Sequence, residues 1–402
     1  MTSPNSPSVQ TGLDRLLDDP GSLDRLKPMR VGLLVNPTSV TAGLVHAIEA
    51  FQARGVTIVR LFGPEHGVRA DAQDMEAVDE TRDPISGIPT ISLYGHDVES
   101  LTPNSAHLED LDIVICDIQD IGSRYYTYVY TIGLMMKACG QAGVKVLVLD
   151  RPNPITGIHI EGNVVLDDFR SFVGMQPIAT RHAMTAGELS HFFNRFTDWT
   201  CELEISELRG WKRSMWFDDT GLPWVMPSPN MPTLDTATVY PGQCLLEGTT
   251  ASEARGTTRP FELFGAPYVD AVALTKYLDG LDLPGVAWRL AAYRPQFQKH
   301  AHETCRGLQL HVTDRERYDS LATGYAIIAG LYHLFGGDFQ WREQAYEFVA
   351  DRLAIDLLLG DDSVRFAIED GQDPVEVARA GAFTREEFEA RRLECLLYND
   401  TE

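Results

Sequence analysis

The chain has 402 residues, and 34 Lys+Arg against 58 Asp+Glu leave a net charge of −24. The acids are spread along the whole length, which argues against a nucleic-acid partner, since such binding rests on phosphate contacts to a basic face. No apolar run approaches the roughly 20 residues that a bilayer-spanning helix needs, so membrane insertion is not expected. Six cysteines (116, 139, 201, 244, 305, 395) form no CxxC or metal-type pair and are expected to be reduced and packed. The opening MTSPNSPSVQTG has neither a basic n-region nor an apolar h-region. A cytoplasmic location is therefore expected, or a secreted one if the N-terminus is trimmed.

The first ten or so residues read as disordered. From residue 30 to about 150 the pattern alternates strand, loop and helix. Strands are predicted over 31–35, 56–62, 90–94, 112–116 and 145–149, and their near-continuous Val/Ile/Leu content suits strands covered on both faces. Helices are predicted over 41–54, 105–109 and 128–142, with Gly55 and Gly143 at helix C-caps. This order predicts an α/β fold, a doubly wound and mainly parallel sheet. Beyond Asn163 the pattern changes to short strands, a proline-rich MPSPNMP at 226–232 and a helix near 185–196. Further on, a helix over 268–281, a strand over 308–313, a long helix over 314–335 and short acidic helices near the end predict a second, smaller α+β domain. The expected division is 12–162 and 163–402, with a cleft between.

In an open α/β sheet, ligands bind outside the carboxyl ends of the strands. The five strands are followed by Asn36-Pro37-Thr38-Ser39, Gly63-Pro64-Glu65-His66-Gly67-Val68-Arg69, Tyr94-Gly95-His96-Asp97, a run from Asp117 to Tyr128, and Asp150-Arg151-Pro152-Asn153-Pro154. Each alone is compatible with a turn or a helix cap. Surface turns do not require Glu-His, Asp-x-Gln-Asp and repeated arginines, so five such clusters on one rim point to a polar site. The first loop has no GxGxxG, and the chain lacks GxxxxGK[ST] and GxSxG, which disfavours dinucleotides, nucleoside triphosphates and serine hydrolysis. His66, His96, Asp97 and Asp117 match no standard ligand spacing, so no metal and no cofactor are expected.

What remains is a carboxylate-rich cleft lined by Tyr, Arg and Asn, the lining that sugars want. Glycoside cleavage typically needs a protonated carboxyl to donate to the leaving oxygen and a second group as base or nucleophile. Glu65 suits the acid role if neighbouring walls desolvate it, and Gly63 and Gly67 leave room for a substrate to approach the backbone. In the second half, CLLEGTTASEARGTTRPFE places Arg255 and Arg259 four apart among Gly and Thr, a pattern that fits either a loop cap or a carboxylate-binding fork.

GPEHGVRA, SLYG, DIQDIGSRYYTYVYT, VLDRPNPITG, RHAMTAGEL, MPSPNMPT and CLLEGTTASEARGTTRPFE occur in this order, and together they resemble the NamZ-type exo-β-N-acetylmuramidases over about residues 12–400. The resemblance implies a Rossmann-like half and an auxiliary half, with the active cleft between them. It implies release of terminal β-linked N-acetylmuramic acid from the non-reducing end of peptidoglycan fragments, in cell-wall turnover. Glu65, at the glutamate of the PEHG motif, is the carried-over catalytic candidate. Asp120 and Glu253 are candidates for a partner carboxylate, and the substrate's acetamido group is an alternative nucleophile. The candidate substrate-binding residues are Asn36, His66, Arg69, Gln119, Arg124, Tyr125, Tyr126, Tyr128, Arg151, Asn153, Asn230, Arg255 and Arg259. Among these, Arg255, Arg259, Arg124 or Arg151 is the expected partner of the lactyl carboxylate. The chain departs from many relatives in showing no export signal, and in having Ala70 where glycine is frequent. A muropeptide-binding sensor and an N-acetylglucosamine-preferring hexosaminidase stand as alternatives. Oligomeric state is left open.

Overall fold

The structure is a computed structural model that describes residues 9–69, 81–95, 97–381 and 384–399. The expected N-terminal disorder at 1–8, and the positions of Ala70 and His96, lie outside the described residues. Helices α1 (Gly12–Asp18) and α2 (Pro20–Leu26) precede strand β1 (Arg30–Val35). Then follow α3 (Ala47–Gln52), β2 (Thr57–Gly63), the two-residue β3 (Thr81–Arg82), β4 (Pro89–Ser92), β5 (Ile113–Asp117), α4 (Tyr128–Ala142) and β6 (Lys145–Leu149). The 41–54 helix is shorter than expected because His46 caps α3 through its own ring nitrogen, leaving 41–46 as turns. Gly143 ends α4 at φ 72°, the left-handed conformation that a glycine adopts without Cβ strain.

The chain continues through the β7 (Glu161–Val164) and β8 (Ala179–Arg181) pair, α5 (Ala186–Phe196) and β9 (Leu203–Ser206). The main sheet runs β3-β4-β2-β1-β5-β6-β9, parallel except for β3. Its last strand, β9, comes from beyond residue 163, because Leu203–Ser206 pairs in register with Val146–Leu149. Val31, Leu33, Val35, Ile115 and Leu149 are covered by α1–α3 on one face. Leu34, Val114, Cys116, Val146 and Val148 meet α4 and α5 on the other. The continuous apolar strands are thus explained by two covered faces.

The rest of the chain forms α6 (Leu234–Gln243), β10 (Leu263–Ala266), α7 (Ala271–Leu278), β11 (Val286–Tyr293), β12 (Cys305–Val312) and α8 (Ser320–Phe335), followed by α9 (Ala354–Leu359), α10 (Ser363–Glu369), α11 (Pro374–Gly381) and α12 (Glu386–Leu393). β10, β12 and β11 make a small antiparallel sheet. The core on the α4 face runs on into Val239, Leu321 and Ile327 of α6 and α8, so one apolar core joins the large sheet to the smaller α+β part. Arg124 reinforces that junction. Its buried guanidinium donates to the carbonyls of Asn163 (2.8 Å), Ile178 (3.3 Å), Leu358 (2.9 Å) and Leu359 (2.8 Å). All six cysteines are unpaired. No helix among the described residues is long and apolar enough to cross a membrane.

Candidate active site

β2 ends at Gly63, and the chain turns at once: the Gly67 N–H donates to the Pro64 carbonyl at 2.9 Å. His66 holds the third position of this turn at φ 69°, followed by Gly67 at φ 82°. A non-glycine residue in that region costs about 1–3 kcal/mol and persists only where its surroundings fix it. The result is that Glu65 and His66, 8% and 7% exposed, both line one pocket at the end of the strand.

The N-terminus of α4 supplies the next wall. Thr127 Oγ1 donates to Glu65 Oε2 at 2.9 Å and so aims the carboxylate. Tyr128 donates its hydroxyl to the Pro227 carbonyl at 2.6 Å, tying the proline-rich MPSPNMP segment over the site. That segment contributes Ser228, Asn230 and Met231. Tyr126 lies edge-on to Tyr128 (4.9 Å) and to Tyr240 (5.7 Å), and Tyr240 to Phe261 (4.8 Å). Burial pushes the hydroxyls of Tyr125, Tyr126, Tyr128 and Tyr240 up from their ordinary value, so they stay neutral. The wall is aromatic, with polar tips.

The second half closes the pocket. Arg255 lies over the Phe261 ring (5.0 Å) and donates from Nη2 to Glu247 Oε1 at 2.6 Å. Tyr346 donates its hydroxyl to Glu247 Oε2 at 2.7 Å. Glu347 follows on the same wall and accepts from the Tyr94 hydroxyl at 3.1 Å. Among the described residues, three carboxylates, Glu65, Glu247 and Glu347, therefore line the pocket, with Arg255 as the arginine.

Of the residues singled out in the sequence, the structure brings Glu65, His66, Tyr125, Tyr126, Tyr128, Asn230 and Arg255 together here. The others are placed elsewhere, each for a physical reason. Asp120 accepts from the Gly122 N–H (2.7 Å) and faces His182 (3.2 Å) under the site. Glu253 is paired with Lys299 at 2.8 Å. Arg124 is spent on the four carbonyls of the domain junction, and Arg259 is half exposed and paired with Glu262 at 3.1 Å. Arg69 grips Asp83 (2.8 Å) and Glu49 (3.2 Å).

Asn36 closes the turn after β1 by accepting from the Thr38 N–H at 3.0 Å, and Asn153 donates to the Met184 carbonyl at 2.9 Å. Gln119 and Arg151 line a separate hollow with Thr38 and Trp224. Arg151 is held there by both oxygens of Asp117, at 2.5 and 2.9 Å. Glu247, Tyr240, Ser228, Tyr346 and Glu347 were not singled out. Glu247 and Ser228 stand inside runs already notable, whereas nothing local marks Glu347. No group of three or more His, Cys, Asp or Glu side chains among the described residues is placed to hold a metal.

Residues 31–235 match the family described as exo-β-N-acetylmuramidase NamZ, N-terminal, and residues 238–398 match its C-terminal counterpart. The chain belongs to the NamZ family. It is 41% identical over 393 residues to the peptidoglycan β-N-acetylmuramidase NamZ of Bacillus subtilis strain 168, covering 98% of this chain and 92% of that protein. A crystal structure of a DUF1343 family protein from Bacteroides fragilis superposes with a TM-score of 0.86 at 32% identity, covering 98% of this chain and 99% of that one. A second such protein from the same organism gives 0.76 at 28%, with the same coverage. The two NamZ segments meet between residues 235 and 238, at the start of α6. The pocket draws Glu65 from the first segment and Glu247, Arg255 and Glu347 from the second.

Proposed function

We infer that this NamZ-family chain is an exo-acting glycoside hydrolase that releases terminal β-linked N-acetylmuramic acid from the non-reducing end of peptidoglycan fragments. The observation that carries the reading is Glu65: the glutamate of the family's PEHG motif lies in a pocket built jointly by both NamZ segments. Glu65 acts as the proton donor to the glycosidic oxygen, oriented by Thr127. The tyrosine wall offers ring edges to the sugar faces and hydroxyls to its polar groups. Among the described residues, Arg255 is the cation of the pocket wall suited to the lactyl carboxylate that distinguishes muramic acid from glucosamine derivatives.

Asp120 and Glu253 do not line the pocket, and both Glu247 oxygens are engaged by Arg255 and Tyr346. Glu247 in that setting suits a fixed charge better than a nucleophile, so the attacking group comes from water or from the substrate's acetamido oxygen. NMR of the anomer first released separates these: inversion reports direct attack by water, and retention reports an intermediate. The function itself is tested with a chromogenic β-N-acetylmuramide. Release by the wild type, lost in Glu65→Gln, supports the reading. Binding without release would make the chain a sensor, and preference for the N-acetylglucosaminide would make it a different hexosaminidase.

A further inference from the structure

Residues 283–302 contain no Asp or Glu, in a chain that carries 58 of them. Lys299, within this stretch, therefore takes its acidic partner from another segment. The backbone turns sharply around it: Gln298, His300 and His302 all hold positive φ, at 65°, 54° and 67°. Non-glycine residues persist in that region only where their surroundings fix them. Those surroundings are the loop 246–256, which carries Glu247 and Arg255. The Gln296 N–H donates to the Gly256 carbonyl at 3.0 Å, and His300 donates from Nε2 to the Thr250 carbonyl at 2.9 Å.

The Lys299 ammonium has three donors, and each has an acceptor: the Leu246 carbonyl at 2.8 Å, the Ala251 carbonyl at 3.0 Å and Glu253 Oε2 at 2.8 Å. The other Glu253 oxygen, Oε1, stands 3.6 Å from Arg255 Nε, beyond the reach of a good hydrogen bond. On its far side Arg255 meets Glu247 at 2.6 Å. Charges of alternating sign thus run from Lys299 through Glu253 and Arg255 to Glu247. The chain begins at a side chain 19% exposed and ends in the pocket wall. Lys299 and Glu253 do not themselves line the pocket, so any influence on a bound sugar passes through Arg255.

We propose that Lys299 is a positioning residue: by holding Glu253 it keeps that carboxylate from capturing Arg255, and so leaves the guanidinium to a carboxylate on the substrate. The inference rests on the glycosidase reading above. Glu253, 2% exposed, is a buried acid, and a buried charge stripped of its partner is strongly unfavourable. Without Lys299, the remaining cation paired with Glu253 is Arg255. Closing the 3.6 Å gap would draw the guanidinium toward Glu253 and offset its charge before a lactyl group arrives. Selectivity for a carboxylate-bearing sugar is then set outside the pocket, by which cation Glu253 is given.

The test is kinetics of the full chain and its variants on a chromogenic N-acetylmuramide and N-acetylglucosaminide, with melting curves as the check on folding. Lys299→Met should raise KM for the muramide about 5-fold or more, change kcat by less than about 3-fold, and leave the glucosaminide within about 2-fold. Adding Glu253→Gln to Lys299→Met should return the muramide KM to within about 2-fold of the wild type, because the capturing charge is gone. Lys299→Arg, which keeps a cation on Glu253, should retain the selectivity. If Lys299→Met does not fold, Lys299→Gln, neutral but still a donor, is read in its place. Unchanged muramide KM, equal loss on both sugars, or a double variant no better than the single overturns the proposal, since Lys299 would then only staple the loop. If the wild type releases neither sugar, the glycosidase reading fails, and the same variants are read by calorimetric titration of N-acetylmuramic acid and N-acetylglucosamine. The same pattern in Kd sustains the proposal, and an equal change for both sugars overturns it.

Discussion

Glu65 and Glu347 face one pocket from the two halves of the chain and reach it by different means. Glu65 stands at the carboxyl end of a regular parallel strand, and the first turn of α4 aims it through Thr127. Glu347 sits on an irregular turn whose backbone no local preference favours, held by Tyr94 and Phe348 from outside its own segment. The difference teaches that a strand end delivers the proposed proton donor through repetitive hydrogen bonding, whereas the facing pocket wall is assembled from loops that only their neighbours make rigid. The same contrast separates the arginines: Arg124 is consumed by backbone carbonyls at the junction, and Arg255 faces the pocket.

The sharpest way to break the comparison is at Glu65. Glu65→Gln should lower kcat on the chromogenic muramide by about 10²–10⁴-fold, the range for loss of a general acid, with the fold unchanged by circular dichroism. A variant keeping near wild-type turnover would remove the strand-end carboxylate from the chemistry.

Next come two structural groups that resemble site residues in sequence. Arg124→Met should cost about 3 kcal/mol or more in denaturant unfolding, because several buried carbonyls lose their donor. A variant that stays as stable but binds substrate poorly would return Arg124 to the site. Asp150, at the end of β6, accepts from Thr185 Oγ1 (2.7 Å), the Gly187 N–H (2.8 Å) and the Tyr398 hydroxyl (2.6 Å). Burial raises its pKa to about 6, against the pull of those donors.

A carboxyl whose folded pKa is raised binds more protons in the native than in the unfolded state between the two values. Stability therefore falls as pH climbs from about 4 to about 6, by roughly 3 kcal/mol from this group, and this contribution is flat above. Urea midpoints across that range should show the decline in the wild type and a shallower one in Asp150→Asn. Equal slopes would mean that other groups dominate the window.

The smallest expected effect is selective. Arg255→Ala should raise KM for the muramide about 10-fold and leave an N-acetylglucosaminide within about 2-fold. Equal loss on both sugars would show that Arg255 serves the pocket through Glu247 and Phe261 alone.

Much of the first half was legible in the sequence. Strand 145–149 and helix 128–142 fall at the observed β6 and α4, and the other early strands lie within one or two residues. Long Val/Ile/Leu runs between glycine-marked turns have few other ways to bury themselves. The short strands β9 and β10 and the eight-residue β11 were not foreseen. β11 is only partly covered, with Ala287, Arg289, Leu290 and Ala292 exposed and the residues between them only half-buried, so its apolar signal is weak.

By itself, the sequence determined the doubly wound sheet, the polar rim at its carboxyl ends, and through its motifs the NamZ family and Glu65. Those features depend on neighbours in the chain: strand periodicity, a turn closing on itself, a helix starting beside it. Which rim residues line the pocket was decided only by tertiary structure. Asp120, Asp150, Arg124 and Arg151 carry the same chemical groups as Glu65 and Arg255, but their partners come from distant segments such as Leu358 and Tyr398. A buried polar group takes whatever partner the fold brings to it, and Glu347 became visible only when Tyr94 arrived across the cleft.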